Sequence, residues 1–336
     1  MGCMECYTGR IWSEEPFEGY ICIEDGRISS IGAGDAPRGV RTVDAGEILP
    51  PLTDAHTHVA DAGLHITERY TLEELVAPPD GLKHRYLNST PRHTLVSDMS
   101  GYCGRMRENG IDRFMDFREG GLEGVRMLRE ACPEGAFILG RPVSKEFDPN
   151  EVEAILKEAD GIGISSISDM PVSYIEAVAD AVHRSGKALA LHVSERIRED
   201  IDEVVSLSPD FIVHMCEATD SDMLRCADEG IPVAVCARSN MYFGKVPPLA
   251  RFEKAGVATM AGTDNAMIAS PSMFDEAEEL ERLARVQGCG DGFVAETLVR
   301  ACKLLNEKKR LGWVVGDAVR MIRGPEGGLT VCAPCR

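Results

Sequence analysis

Nowhere in this 336-residue chain do roughly 18 or more apolar residues run together, so no segment is suited to cross a bilayer as a helix. The opening residues, Met1-Gly2-Cys3-Met4-Glu5-Cys6, lack the charged-then-apolar pattern of a secretory leader, and Cys6 stands where a myristoylation signal wants Ser or Thr. A cytoplasmic protein without membrane partner or lipid anchor is expected. Basic residues are in short supply: 36 Lys and Arg face 55 Asp and Glu, a formal net charge of −19. Such a surface repels polyanions, which argues against nucleic acid as a partner and leaves a small-molecule substrate. Repeats and low-complexity tracts are absent as well, so the chain is not a solenoid or a fibrous protein.

What is present has the balance of a soluble globular protein, 44% hydrophobic and 27% charged. The length suits one barrel with a small accessory domain, or two ordinary domains. Of the 12 cysteines, most sit in apolar runs, as Cys216 and Cys236 do, where free thiols behave as small hydrophobes and a reducing compartment fits. Four differ: Cys3 with Cys6, and Cys332 with Cys335, form CxxC pairs at the two ends of the chain.

Residues 1 to 47 read as short strands and turns, with Glu18 to Ile23 and Arg27 to Gly32 flanking the turn Glu24-Asp25-Gly26. Eight apolar runs follow, at 48 to 55, 111 to 117, 136 to 143, 161 to 166, 188 to 195, 211 to 216, 231 to 237 and 257 to 264. Between them lie segments of helical periodicity such as Ser173 to Ser185 and Asp220 to Glu229. Eight β-then-α units favour an α/β fold of the closed (β/α)8 TIM-barrel type over an open doubly wound sheet. After further helices at Ser272 to Ala284 and Phe293 to Lys309, the tail returns to strand-like pieces. Both ends being β-rich, residues 1–48 and 312–336 are expected to form one small β-sandwich domain beside a barrel of residues 49–311.

Asp54-Ala55-His56-Thr57-His58 ends the first barrel run. Residues two apart on a strand share a face, so His56 and His58 both point into the mouth and make half of a metal site. An HxH pair by itself is also common among ordinary polar loop residues. Other ligand-type residues close other runs: His192 the fifth, His214 the sixth and Asp264 the eighth, where the groups of a barrel enzyme gather. Glu195, three residues after His192, is placed to shuttle protons beside an activated water. His65, His84 and His93 lie in the long segment 59 to 110, which could cover the mouth, and read as solvated loop residues in preference to substrate contacts.

In this ordered set the chain resembles the amidohydrolase superfamily, in its cytosine deaminase, S-adenosylhomocysteine deaminase and chlorohydrolase-like branch. The matching pieces are Leu49 to His58, His192 to Glu195, His214, Ser239-Asn240 and Gly262-Thr263-Asp264-Asn265. The resemblance implies one divalent metal held by His56, His58, His192 and Asp264, zinc first and iron or manganese as alternatives. It implies that Asp264 takes the proton of the attacking water, that Glu195 protonates the ring nitrogen and the departing ammonia, and that His214 steadies the oxygen. Two-metal relatives carry a carboxylated lysine on strand four; Gly161 to Ser166 contains no Lys, which favours a single ion. Arg238 and Asn240, after the seventh run, could bind a substrate's carboxylate, phosphate or ring edge, or could equally be structural.

The activity implied is hydrolytic deamination of an amino-substituted heterocycle, whether nucleobase, nucleoside or pterin-like ring. The alternatives are ring opening of a cyclic amide or imidazolone at the same site, and a barrel retained as a non-catalytic scaffold. Cys3, Cys6, Cys332 and Cys335 would complete a second, structural zinc site if the termini meet, and are otherwise unpaired end residues. The sequence leaves a homo-oligomer open.

Overall fold

The computed structural model describes residues 4–12, 16–50, 52–305, 320–323 and 329–333. Four strands open the chain: β1 (Glu5–Ile11), β2 (Phe17–Glu24), β3 (Arg27–Ala33) and β4 (Arg41–Leu49). The barrel begins with β5 (Leu52–His58), followed by α1 (Leu72–Leu75), α2 (Leu82–Ser89) and α3 (Arg92–Glu108). Then come β6 (Ile111–Arg118), α4 (Gly121–Ala131), β7 (Ala136–Gly140), α5 (Pro149–Glu158), β8 (Gly161–Ile164) and α6 (Val172–Ser185). The second half runs β9 (Ala188–Val193), α7 (Ile201–Ser206), β10 (Phe211–His214), α8 (Asp220–Asp228), β11 (Val233–Val235), α9 (Ala237–Tyr242) and α10 (Leu249–Ala255). β12 (Thr259–Ala261), β13 (Asp264–Asn265), α11 (Met273–Gln287), α12 (Phe293–Leu305), β14 (Arg320–Arg323) and β15 (Leu329–Ala333) complete the chain.

The nine strands from β5 to β13 form one parallel sheet in the order β12-β11-β10-β9-β8-β7-β6-β5-β13. β12 and β13 are two halves of the eighth strand, interrupted at Gly262-Thr263, and pairing of Asp264 with Thr57 and of Asn265 with His58 closes the barrel. The first apolar run proves to be divided: Ile48 and Leu49 end β4, and the barrel strand begins at Leu52. Alternation along the strands separates two cores. Leu189, Leu191 and Val193 of β9 face the helices, while Ala190 joins Ala55, Met115, Phe117, Leu139, Phe211, Val213, Ala234 and Met260 inside the barrel.

The helices form for local reasons and are held by packing. In α6, Tyr174, Ile175, Val178, Ala179 and Val182 recur on one face and are buried; Gly186, at φ 67°, ends the helix in a left-handed turn. Thr219 and Asp222 exchange hydrogen bonds at the start of α8, satisfying donors that a helix N-terminus leaves unpaired.

The strands from both termini form a six-stranded sheet, β14-β15-β4-β1-β2-β3, in which β4 runs parallel to both β1 and β15. Trp12 anchors it to the barrel: the ring is buried in the main core and its indole N–H donates to Glu47. The expected four-cysteine zinc site lacks one of its thiolates. Cys6 lies directly opposite Cys22 in the β1–β2 register, and the two are joined in a disulfide, so Cys6 is not a free thiolate. The backbone of Cys332 pairs with Met321 in β15, and Cys3 and Cys335 lie outside the described residues. No helix among the described residues is long and apolar enough to cross a membrane.

Candidate metal centre

The C-terminal end of the barrel gathers His56, His58, His192, His214, Glu195 and Asp264. His56, His58 and Asp264 offer ligand atoms within 4.8 Å of one another, as do His56, His192 and His214, and Glu195, His214 and Asp264. Simple alternation brings only some of them there. His192 shares the inward face of Ala190. His214, two residues after the outward Ile212, turns inward because its backbone adopts φ +77°; Asp264 takes φ +65°. Left-handed backbone at non-glycine residues costs free energy and persists where surrounding structure enforces it. On β5 the register slips between Asp54 and Thr57, so Ala55 packs in the lumen while His56 and His58 still reach the mouth.

The two ends of the barrel sheet are tied directly behind the site. Asp54, fully buried, accepts from Thr263 N (2.9 Å), Thr263 Oγ1 (2.6 Å) and His56 N (3.3 Å). A Cβ on Gly262 would come within 2.8 Å of His56 N, so the approach of the eighth strand to the first requires glycine there.

Hydrogen bonds settle which imidazole nitrogens face inward. His58 Nδ1 lies 3.1 Å from Phe117 O and 2.9 Å from Glu119 Oε1, and His192 Nδ1 lies 3.0 Å from Ile164 O. These oxygens only accept, so both Nδ1 atoms carry the proton, and in the neutral rings that bind a cation both Nε2 atoms present lone pairs. Yet the two Nε2 atoms lie only 3.3 Å apart. His56 Nε2 and Asp264 Oδ1, 3.3 Å apart and fully buried, have no partner with hydrogen-bond geometry, and His58 Nε2 is 3.6 Å from the same Asp264 oxygen. Lone pairs converging without donors are stable around a cation. A tetrahedral ion with metal–nitrogen distances of about 2.0–2.1 Å sets its ligand nitrogens roughly 3.3 Å apart. The donor set, three imidazoles and one carboxylate, fits a borderline divalent ion such as zinc.

Electrostatics favour neutral rings at His56 and His192, whereas at His58 burial and Lys83 are outweighed by Glu119 and Asp264, which raise it. Burial lowers His56 to about 3, and burial together with the neighbouring histidines holds His192 well below the usual range. Burial opposes the charged form of Asp264, but His56, His214 and His58 outweigh it and hold the carboxyl well below the ordinary value. Its other oxygen accepts from Ser239 Oγ at 2.5 Å. Burial pushes Glu195 up. The Glu195 carboxylate stands 3.6 Å from His214 Nε2, and Asn240 Nδ2 bridges the two, 3.4 Å from Glu195 Oε1 and 3.1 Å from His214 Nδ1.

A pocket opens over these groups. His58, His192, Glu195, His214 and Asp264 line its floor, and Leu72, Val76, Lys83 and His84 come down from the segment after β5 to cover it. His84, expected as a loop residue, is therefore part of the wall. Neither Arg238 nor Asn240 lines it. Arg238 Nε lies 2.8 Å from the buried Glu276, and its remaining nitrogens reach Ser270 and Ser272, so the guanidinium is committed to α11. Asn240 is fully buried behind Glu195 and His214. Lys83, Glu119 and Arg141, none of them among the candidates the sequence offers, also line the pocket. Glu119 continues the inward face of Met115 and Phe117 past the end of β6, a signal of the kind that located His192; Lys83, on a helix of the covering segment, gave none.

The sequence profile of the amidohydrolase family matches residues 48–321. A protein of Methanothermobacter thermautotrophicus that bears a provisional aminohydrolase name is 33% identical over 294 residues, covering 80% of this chain and 76% of its own. A 5-methylthioadenosine/S-adenosylhomocysteine deaminase of Nitratidesulfovibrio vulgaris is 23% identical over 310 residues, 80% of this chain and 69% of that one. In fold, the chain is similar to an adenosine deaminase from Xanthomonas campestris with bound zinc, at a TM-score of 0.71 and 16% identity over 94% of this chain and 84% of that one.

Proposed function

Because the chain belongs to the amidohydrolase family, a family of carbon–nitrogen hydrolases, we propose that it is a metal-dependent hydrolytic deaminase of an amino-substituted heterocycle. A nucleobase, nucleoside or pterin-like ring is the substrate class. The observation that carries this reading is the pair of inward lone pairs on His58 and His192, 3.3 Å apart, beside the orphaned Asp264 oxygen. A divalent ion, zinc in the first instance, would be held by His56, His58, His192 and Asp264. Bound there, it supplies the Lewis acidity that makes water nucleophilic at neutral pH.

The protein's own groups supply the rest. Asp264, steadied on one oxygen by Ser239 and facing the imidazoles with the other, takes the proton of the attacking water. Glu195, raised by burial, protonates the ring nitrogen next to the carbon under attack, then takes the proton of the added hydroxyl as the carbonyl forms and passes it to the departing ammonia, and the proton held by Asp264 returns to Glu195. Asn240 Nδ2 donates to His214 Nδ1, which leaves the proton on Nε2, pointed at the site, where it steadies the developing oxyanion. Water adds, the carbon–nitrogen bond breaks, and the products are the ring carbonyl and ammonia.

The test is ammonia release from a panel of aminated pyrimidines, purines, nucleosides and pterins by zinc-loaded protein, with Glu195→Gln as control. Release from at least one ring, abolished in the variant, supports the reading. Cleavage of a lactam or imidazolone with no ammonia from any aminated ring would replace it with ring opening.

A further inference from the structure

The covering segment between β5 and β6 reaches the ion site through charge. Lys83, in the first turn of α2, is buried and sends its ammonium into the mouth, where Nζ lies 2.7 Å from Glu119 Oε1, 3.5 Å from Asp61 Oδ2 and 3.3 Å from Asn265 Oδ1. The same Glu119 oxygen lies 2.9 Å from His58 Nδ1, and Arg118 Nη1 lies 3.4 Å from its partner oxygen. Lys83, Asp61, Glu119 and Arg118 are all buried, and charges out of water are retained only when each is paired. None of them belongs to the ligand set, and the proposed chemistry uses none of them.

We propose that Glu119 is a positioning residue for the ion site and that Lys83 fastens it, so that docking of the covering segment and retention of the ion are coupled. The inference rests on the reading of His58 as a ligand. His58 Nδ1 has a second acceptor in Phe117 O, so the carboxylate is not needed to choose the tautomer. What it adds is a negative charge behind the ring, which makes Nε2 a stronger donor and holds the imidazole in its aim. Lys83 binds that carboxylate from the opposite side and simultaneously meets Asn265, the residue after Asp264, so one ammonium spans α2, the second strand and the eighth.

The test uses the full chain, stripped of metal and titrated with Zn²⁺ against a competing chelator, then with Co²⁺ to read the ligand field. Glu119→Ala is expected to weaken zinc binding about 10- to 100-fold and to shift the cobalt absorption bands. Glu119→Gln, which keeps an oxygen for His58 Nδ1, should recover part of the affinity. Lys83→Met should weaken binding less and speed amide exchange across residues 72–89. Metal-free circular dichroism checks folding; if the alanine variant is unfolded, Glu119→Gln and Lys83→Met carry the test. Zinc binding by the folded variants within about twofold of the unaltered protein overturns the inference and leaves the proposed function standing. If the unaltered protein takes up neither Zn²⁺ nor Co²⁺, the ion-site reading falls and takes this inference with it.

Discussion

Asp54 is the residue on which closure of the barrel can be tested most sharply. Its carboxylate is fully buried and accepts from two backbone amides, Thr263 N at 2.9 Å and His56 N at 3.3 Å, and from the Thr263 hydroxyl at 2.6 Å. These bonds join the eighth strand to the first just behind Asp264 and His56. Alanine removes every acceptor and strands both amides where water does not reach. At about 1–3 kcal/mol for each stranded donor, Asp54→Ala should lose on the order of 2–6 kcal/mol of stability. Asparagine keeps one oxygen for the two amides and offers an N–H₂ group to the Thr263 hydroxyl, which can rotate to accept. Burial already pushes the Asp54 carboxyl up to about 7, so loss of its charge costs little, and Asp54→Asn should lose roughly 1 kcal/mol or less. Urea denaturation followed by circular dichroism, on metal-free protein, measures both. An alanine variant within about 0.5 kcal/mol of the unaltered protein, or an asparagine variant as damaged as the alanine one, would refute the reasoning.

Three further outcomes are expected. Glu195→Gln should retain zinc, because Glu195 is not among the four proposed ligands, while ammonia release falls about 10²- to 10⁴-fold; loss of zinc in step with activity would deny it a proton-transfer role. Stripping zinc with a chelator should abolish turnover and lower the thermal midpoint, and zinc restoring both would reproduce the stabilisation that binding to the native state gives; a midpoint indifferent to zinc would contradict the site. Arg238→Met should leave KM nearly unchanged but cost about 3–5 kcal/mol, because it strands the buried Glu276. The cost should depend on pH. Burial raises Glu276 from 4.5 to about 7 even with Arg238 beside it, so the folded state holds this proton more tightly and stability falls as pH rises through that window. Without the guanidinium the folded value moves higher still, so the loss should be small near pH 4.5 and grow above pH 7; denaturation midpoints across that range check the sign.

Much of this molecule was legible before folding was considered. The eight runs and most crossover helices follow from residue periodicity, which is a local property, and the observed strands fall inside or within a few residues of those runs. The ligand candidates were legible because each lies at the end of a run, the position a barrel strand delivers to the mouth. Less legible was how they turn inward. Strict alternation would send His214 outward with Ile212; only its left-handed backbone reverses it. A guanidinium in the loop after strand seven looked ready for a substrate, yet Arg238 is claimed by Glu276, which lies 38 residues further on. The paired CxxC spacing suggested a clamp of four thiolates, but register across β1 and β2 places Cys22 opposite Cys6 first.

Sequence by itself determined the alternating architecture and the chemical kinds of side chain brought to the barrel mouth, since periodicity and strand-end position need only near neighbours. Tertiary structure alone decided which oxygen or nitrogen each of those side chains meets. Lys83 acquires its place only when α2 folds back over the mouth, and Glu119 acquires its pull on His58 only when the first two barrel strands lie side by side. Contacts of that kind join residues far apart in the chain, and their geometry is set by closure of the barrel as a whole.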